Sequence, residues 1–524
     1  MEVRLEKDGL AIGSPTQTLD SFAADIQDRQ VKWRQRLTDD PTDFPQVQEE
    51  IRQQYQQGAD LMTAAVIAEA TRQPQMQDHV QQVRDDAVIP LKAPERRPLK
   101  IRLAGGLVLW LTTLYCAPRP RKPNEDEQHQ RVGLYPELAA LGVRHGSCPA
   151  LQSLVARTVA LCQSIEAARK ELRRQGVVLD KKTVRRIAEQ LGAEFLAWRR
   201  RELFAWRAGL TPAGDELAGK RVAVQIDGGR IRMRENKKRS AKKKKGQRTK
   251  FKTPWREPKA LIIFTFDERG KMTKNCQPLI DGTLQGPDHL AELVAWHLHR
   301  LGAAKAESVV FLSDGATWIW NRLDWIIGRA GLDKSKTQGV LDWCHAVEHI
   351  NKALRSLKLK AEKRRKEFVQ MRTWLKQSRW SEIVSRLKRL AKGWTEKHQV
   401  WTEIEYLRKH GEAGHLQYLT FKRRSLPLGS GAIESAIRRV INLRLKSNAI
   451  YWLPENAEGM FALRASLLTD RWEEQLSVVQ RSMTRNASLT WEWSAATITS
   501  DGPLPSPPPL PQVSEEKDVN ALAA

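Results

Sequence analysis

Two aspartates in this chain share one local setting. Asp227 closes the alternating run Val222-Ala223-Val224-Gln225-Ile226 and is followed by two glycines; Asp314 closes Val309-Val310-Phe311-Leu312-Ser313 and is followed by one. A carboxylate at the end of a buried strand stands at the open edge of a sheet, where α/β proteins gather their ligands. Asp-Gly is equally the ordinary turn dipeptide, so either aspartate alone says little. A third carboxylate, Glu434, lies in GSGAIESAIRRVINLRL, a helix whose apolar positions Ile433, Ile437 and Val440 share a face. A glutamate in a first helical turn also suits the helix dipole, and Arg438 stands four residues on as an ion-pair partner. Read together, two aspartates and a glutamate suit hard divalent cations. Two Mg2+ or Mn2+ ions about 3.5–4 Å apart stabilise the attacking and leaving oxygens of an in-line displacement at phosphorus. No Cys/His set has zinc spacing.

The elements that must position these groups follow an α/β order. Val222–Ile226 reads as a strand, Arg230–Arg234 as its hairpin partner, and Ala260–Phe266 as a third strand. A helix from His289 to Leu301, a strand from Ser308 to Leu312, a second helix and a strand from Val340 to Trp343 come next, giving a mixed sheet with flanking helices. Residues 351–424 carry helical periodicity only, with Ile383, Leu387, Leu390 and Trp394 on one face, and read as an all-helical insertion. The glutamate helix, from about Ala432 to Leu445, returns the chain to the core, which therefore covers 215–350 and 425–470.

Upstream, residues 1–98 are rich in Gln, Asp and Arg and read as helices closed by the linker AVIPLKAPERRP. A small strand and loop segment spans 99–149. Over 150–214, Ile165, Ala168 and Leu172 form one helical stripe, Gly176 breaks it, and Val184, Ile187 and Leu191 form another, with Asp180 placed as an N-cap. Lys181, Lys182, Arg185 and Arg186 lie on the outer side of that second helix. The pattern suits a helix-turn-helix reader of DNA, with an ordinary solvated hairpin as the alternative. Residues 471–524 form a tail, with SPPPLP and a Ser/Glu stretch after 498 that point to disorder.

Composition narrows the partner. A formal net charge of +27 is that of a protein that neutralises a polyanion, and nucleic acid is the commonest one. The run KKRSAKKKKGQRTKFK, including Lys242, Lys243, Lys244 and Lys245, follows the first aspartate strand and suits phosphate contact, a solvated loop being the alternative. Five scattered cysteines without a CxxC pair argue against a disulfide framework and for a reducing compartment. The N-terminal segment lacks a signal-peptide core, and the apolar stretch Ala104–Ala117 is too short to span a bilayer, which points to a cytoplasmic protein, on the nucleoid when bound to DNA. His345 and His349 flank Glu348 without the HExxH spacing of zinc proteases. His345, supported by Asp342, is expected as a hydrogen-bond partner at the site, against the alternative of a satisfied core histidine, and Asp342 is a reserve metal ligand. Trp318, Trp320 and Trp325 are expected to pack in the core.

The order of a strand with Asp227, a strand with Asp314, a strand with Asp342, a helical insertion and a helix with Glu434 resembles the DDE transposases. These are enzymes of the ribonuclease-H-like, retroviral-integrase superfamily. LDWCHAVEHI resembles the Asp-x-x-His element that follows the fifth strand in Mutator-like transposases, here Asp342 and His345. GSGAIESAIRRVINLRLKSNAIYW is similar to the glutamate helix of the ISKra group of insertion sequences. The resemblance is clearest over 215–465. It implies Asp227, Asp314 and Glu434 as catalytic metal ligands, two Mg2+ or Mn2+ ions, Arg438 among the DNA contacts, binding of the element's terminal repeats and target DNA, and a homodimer or larger assembly. Relatives often carry a zinc-ribbon-like segment before the helix-turn-helix. Only Tyr115-Cys116 echoes it here, so 99–149 is a degenerate version without structural zinc. A structure-selective nuclease on the same fold, or a catalytically inactive DNA-binding descendant of a transposase, are the alternatives.

Overall fold

Runs of β-branched and apolar residues build the centre of a mixed α/β molecule. The computed structural model describes residues 2–6, 9–12, 19–71, 73–87, 89–120, 130–236, 250–446, 450–481 and 487–488. The chain divides into two compact units, one drawn from Met1–Trp198 and Arg471–Glu492, the other from Arg199–Asp470. No helix among the described residues is long and apolar enough to cross a membrane.

The second unit is organised on a five-stranded sheet in the order Leu279–Thr283, Lys259–Thr265, Arg221–Gly228, Ser308–Ser313, Thr337–Leu341. In chain order that is three-two-one-four-five. The first three strands are antiparallel neighbours, and the last two run parallel to the first. The central strands are buried along nearly their whole length, as strands covered on both faces must be. The helix Pro287–Arg300 packs on the sheet with Leu290, Leu293, Val294 and Trp296 buried.

Three strand expectations are corrected. Ile231–Arg232 does not pair with the first strand; it pairs with Trp255–Arg256 in a separate ribbon, and the true neighbour is Lys259–Thr265. The third strand is Leu279–Thr283, whose internal Asp281-Gly282 reads as a turn in sequence. The last strand ends at Leu341, and Trp343 already belongs to the helix Trp343–Ser356. That helix, with Ala361–Lys376, Trp380–Leu390, Gln399–Glu412 and Tyr418–Arg423, makes the segment before Glu434 helical throughout. Ile383 and Leu387 are buried as expected, whereas Trp394 lies beyond the end of its helix.

In the first unit, helices Leu19–Asp39, Phe44–Ala70 and Pro74–Asp85 precede a long hairpin, Leu91–Arg102 with Val108–Pro118. The hairpin absorbs most of the expected linker: Leu91–Pro98 is an edge strand, and a short strand Glu2–Glu6 adds to the other side of Val108–Pro118. Helices Pro149–Leu161, Ile165–Arg174 and Lys181–Arg207 follow. Ala168, Leu172, Val184, Ile187 and Leu191 are all buried, as their spacing requires. The Asp180 carboxylate accepts from the backbone N–H of Lys182 and Thr183 at 2.8 and 3.0 Å, a true N-cap. The helix Trp472–Arg481 belongs with this unit rather than with a tail. Trp472 stacks on Phe195 and donates its indole N–H to Ser153 Oγ at 3.0 Å.

Candidate active site

The sheet register puts the two aspartates side by side. Ser313 is the partner of Ile226 across the parallel pair, so the next residue on each strand, Asp314 and Asp227, leaves the same edge at the same level. Adjacent strands lie about 4.8 Å apart. The two carboxylates feel each other. Burial, with the like charges of Asp314 and Glu257, pushes the Asp227 carboxyl up to about 6 against the pull of the Gly228 N–H and His345. Both aspartates remain partly accessible. Ser313 clamps the junction, its Oγ donating to the Ile226 carbonyl at 2.9 Å.

The turn after Asp314 is tied from the insertion side. Trp320 donates its indole N–H to the Asp314 carbonyl at 2.7 Å and stacks on His415 with centroids 4.0 Å apart. Gly315 has to be glycine: a Cβ there would come within 2.0 Å of the Tyr406 hydroxyl oxygen. Tyr406 in turn stacks at 3.6 Å on His349, whose Nδ1 is 2.5 Å from Glu403. His349 therefore serves the insertion and makes no metal pair with His345. Trp318 lies under the buried Lys259 ammonium at 4.1 Å, and Lys259 is ion-paired with Glu257.

Asp342 is 1% exposed and fully engaged. Its Oδ1 accepts from the His345 backbone N–H at 2.8 Å and lies 3.0 Å from His345 Nδ1, while Oδ2 accepts from the Ser430 N–H at 2.6 Å. A carboxylate with its oxygens so occupied orients its neighbours, whether or not it also serves as the reserve metal ligand. The hydrogen bond with Asp342 raises the pKa of the half-buried His345, an effect reinforced by the charges of Asp342 and Asp314.

Glu434 rides on Gly431–Ile437, a helix that continues as a π-turn through Arg438–Asn442. Ile433, Ile437 and Val440 are buried, which turns Glu434 and Arg438 outward. Two buried side chains seat the start of this helix on the sheet edge. One is Asp342 through Ser430; the other is Gln225, 1% exposed, whose Nε2 donates to the Gly429 carbonyl at 3.1 Å while Oε1 accepts from the Ile433 N–H at 3.0 Å. Glu434 accepts from Ser430 Oγ at 2.7 Å, and its charge helps raise the pKa of Cys344 behind the effect of burial. Among the described residues it forms no ion pair with Arg438.

The structure thus brings Asp227 and Asp314 to adjacent strand ends, within electrostatic reach of His345, and links Asp342, Ser430 and Glu434 by hydrogen bonds. Among the described residues no three His, Cys, Asp or Glu side chains already stand together as a metal-binding group. Lys181, Lys182 and Arg185 are exposed at the start of their helix and Arg186 is half-buried, its Nη1 3.4 Å from the His145 carbonyl. Lys242, Lys243, Lys244 and Lys245 lie outside the described residues. Gln225, Ser313, Glu257 and Tyr406 were not singled out in the sequence. Only Gln225, a polar residue inside an apolar strand, carries a signal there. No family model, no curated protein and no solved structure matches this chain.

Proposed function

We propose that this chain is a transposase with a ribonuclease-H-like core, cutting and joining DNA through carboxylate-held divalent cations. The observation that carries this reading is the sheet edge. A first-strand aspartate and an aspartate closing the fourth strand leave it side by side, an Asp-x-x-His turn follows the fifth strand, and a glutamate helix is pinned to that edge. The arrangement agrees with the order expected of DDE transposases, and the helical insertion falls where that order requires it.

The donor set fits hard cations. Asp227 and Asp314 hold two like charges close together in a partly buried place, and such a pair is relieved by a cation between them. Asp227 and Asp314 would be the shared ligands. Glu434 would complete the set by turning from Ser430, an exposed side chain moving on a fixed backbone. When bound, two divalent ions supply charge stabilisation to the attacking and leaving oxygens of a phosphodiester. The chain's own part is to orient: Asp342 holds the ring of His345, which when protonated would offer its outer N–H to a phosphate oxygen, and Gln225 fixes the helix that carries Glu434. The same centre would serve water in cleavage and a 3′ hydroxyl in joining. The exposed cations of the Lys181–Arg207 helix would grip element ends, in a homodimer or larger assembly that holds both ends.

The test is Mg2+-dependent nicking of a labelled element-end duplex by wild type, Asp227→Asn and Asp314→Asn. Each variant should lose about a hundredfold or more in rate while its DNA affinity is kept. Nicking at the wild-type rate by both variants would remove the aspartate pair from the chemistry and the reading with it.

A further inference from the structure

We propose that the exposed face of the Leu91–Arg102/Val108–Pro118 hairpin is a second DNA-contact surface, gripping the phosphate backbone of a duplex through Arg96, Lys100 and Arg102. The proposal rests on the transposase reading only for the identity of the polyanion.

Leu91–Arg102 carries Lys92, Arg96, Arg97, Lys100 and Arg102 against one anion, Glu95, and Glu95 is already paired with Arg97. Alternation sorts these cations. Ile101 lies opposite Leu109 and Leu99 opposite Leu111 on the inward face, where Ile101, Leu109, Leu111 and Thr113 are buried. Arg96, Lys100 and Arg102 fall on the other face, opposite Leu114, Trp110 and Val108. Arg96 and Lys100 are exposed and Arg102 is half-buried. Lys100 stands over the Trp110 ring with its Nζ 4.3 Å from the centroid, which holds the ammonium at the surface. From Arg96 to Arg102 the strand covers about 20 Å, roughly six nucleotide rises along one strand of a duplex.

The face suits a phosphate backbone better than a protein or a lipid surface. A protein interface wants an apolar centre, and here the one large ring is capped by a cation. An added β-strand is hindered at the edge: Arg102 N–H, on the outer side of Leu91–Arg102, bonds the Gly146 carbonyl, and Pro94 and Pro98, of the same parity, have no N–H to offer. A membrane surface calls for an exposed apolar face to insert, and on this side Val108, Trp110 and Leu114 are only partly exposed among the cations.

The hairpin is also rigidly held. The buried carboxylate of Asp60 accepts from Gly105 and Leu107 N–H at 3.0 and 2.9 Å across its turn, and Glu137 accepts from Thr113 Oγ1 and Leu114 N–H. Its turn end and the basic helix contact one and the same loop. Cys148 N–H bonds the Arg102 carbonyl, and Arg186 reaches the His145 carbonyl of the same segment. Both basic elements are thus fixed to residues 145–148, within reach of one duplex.

The experiment is anisotropy titration of the full chain with an arbitrary 40-base-pair duplex, since phosphate contacts carry no sequence information. The Arg96→Ala/Lys100→Ala/Arg102→Ala variant should flatten the slope of log K against log salt by about 2.7, so that its loss of affinity between 50 and 200 mM salt is smaller by a factor of about forty. Thr112→Glu keeps every cation and puts a carboxylate on the same exposed face. It should weaken binding at low salt with an unchanged melting temperature, which separates a contact from a folding defect. Unchanged slope and affinity in both variants, with wild type binding normally, would mean a merely solvated edge strand and overturn the proposal while leaving the transposase reading intact. Wild type that ignores the duplex but binds vesicles of anionic phospholipid would overturn the proposal and the DNA reading together.

Discussion

Gln225 and Asp342 are the residues on which the candidate site turns, although neither faces substrate in the proposed reaction. Each is 1% exposed, and each reaches from the sheet edge to the backbone that leads into the Glu434 helix. Gln225→Leu keeps the volume but strands the Gly429 carbonyl and the Ile433 N–H, so unfolding in urea should show a loss of about 1–3 kcal/mol. Asp342→Asn keeps one carbonyl oxygen for His345 and loses the charge-assisted bond to Ser430. A change of this kind behind the ligands should lower Mg2+-dependent nicking about 10–100-fold with DNA affinity retained. Unaltered nicking in Asp342→Asn would reduce Asp342 to a helix cap. Asp227, Asp314 and Glu434 are legible in the sequence because each sits at a visible boundary, a strand end or a helix start. Gln225 is visible only as a polar residue in an apolar strand, because its partners are backbone groups more than two hundred residues away.

At the scale of elements, the strand Leu279–Thr283 shows why part of the sheet is hidden in the sequence. Its Asp281-Gly282 is a turn signal by local chemistry, yet tertiary contacts hold it in a strand. Burial alone would raise the Asp281 carboxyl, but Arg199 at 2.8 Å and His297 hold it below the usual carboxylate range. Gly282 is required there because a Cβ would come within 2.3 Å of the Lys259 carbonyl and 2.4 Å of Phe461. Gly282→Ala should therefore cost about 1–3 kcal/mol by overpacking, read as a fall in melting temperature. His297 is 3% exposed and held neutral: burial brings its pKa down to about 4, Nε2 donates to Asp281, and Nδ1 accepts from Arg300 Nε at 2.9 Å. The unfolded chain takes up this proton near pH 6.5, before the folded one does, so the stability that His297 contributes is complete above pH 6.5 and is lost as pH falls toward 4. The decline is on the order of 3 kcal/mol, and His297→Gln should remove much of it in urea unfolding followed across that range. A His297→Gln profile that follows the wild-type profile throughout would contradict this assignment.

For the whole molecule, the order of strands and helices through 215–470 reads well from periodicity, because each core element buries one face over enough residues to leave a pattern. The first unit reads less well. Leu91–Pro98 is an edge strand with two prolines and exposed charge, which has the composition of a linker, and only its pairing with Val108–Pro118 makes it a strand. The helix Trp472–Arg481 likewise joins that unit through Trp472 and Arg157–Glu473, contacts across more than three hundred residues. A net charge of +27 belongs to the molecule as a whole and would govern its approach to a polyanion. The proposed chemistry would depend on three carboxylates, and the least tethered of them decides between the readings. The most direct measurement is strand transfer by purified protein with Mg2+ and a labelled element-end duplex, wild type against Glu434→Gln. Joined product from wild type alone, with DNA binding equal in the two proteins, is the result expected of a transposase whose third ligand is Glu434. Equal joining by both would take Glu434 out of the site, and bound DNA left unjoined by both would contradict the transposase assignment itself.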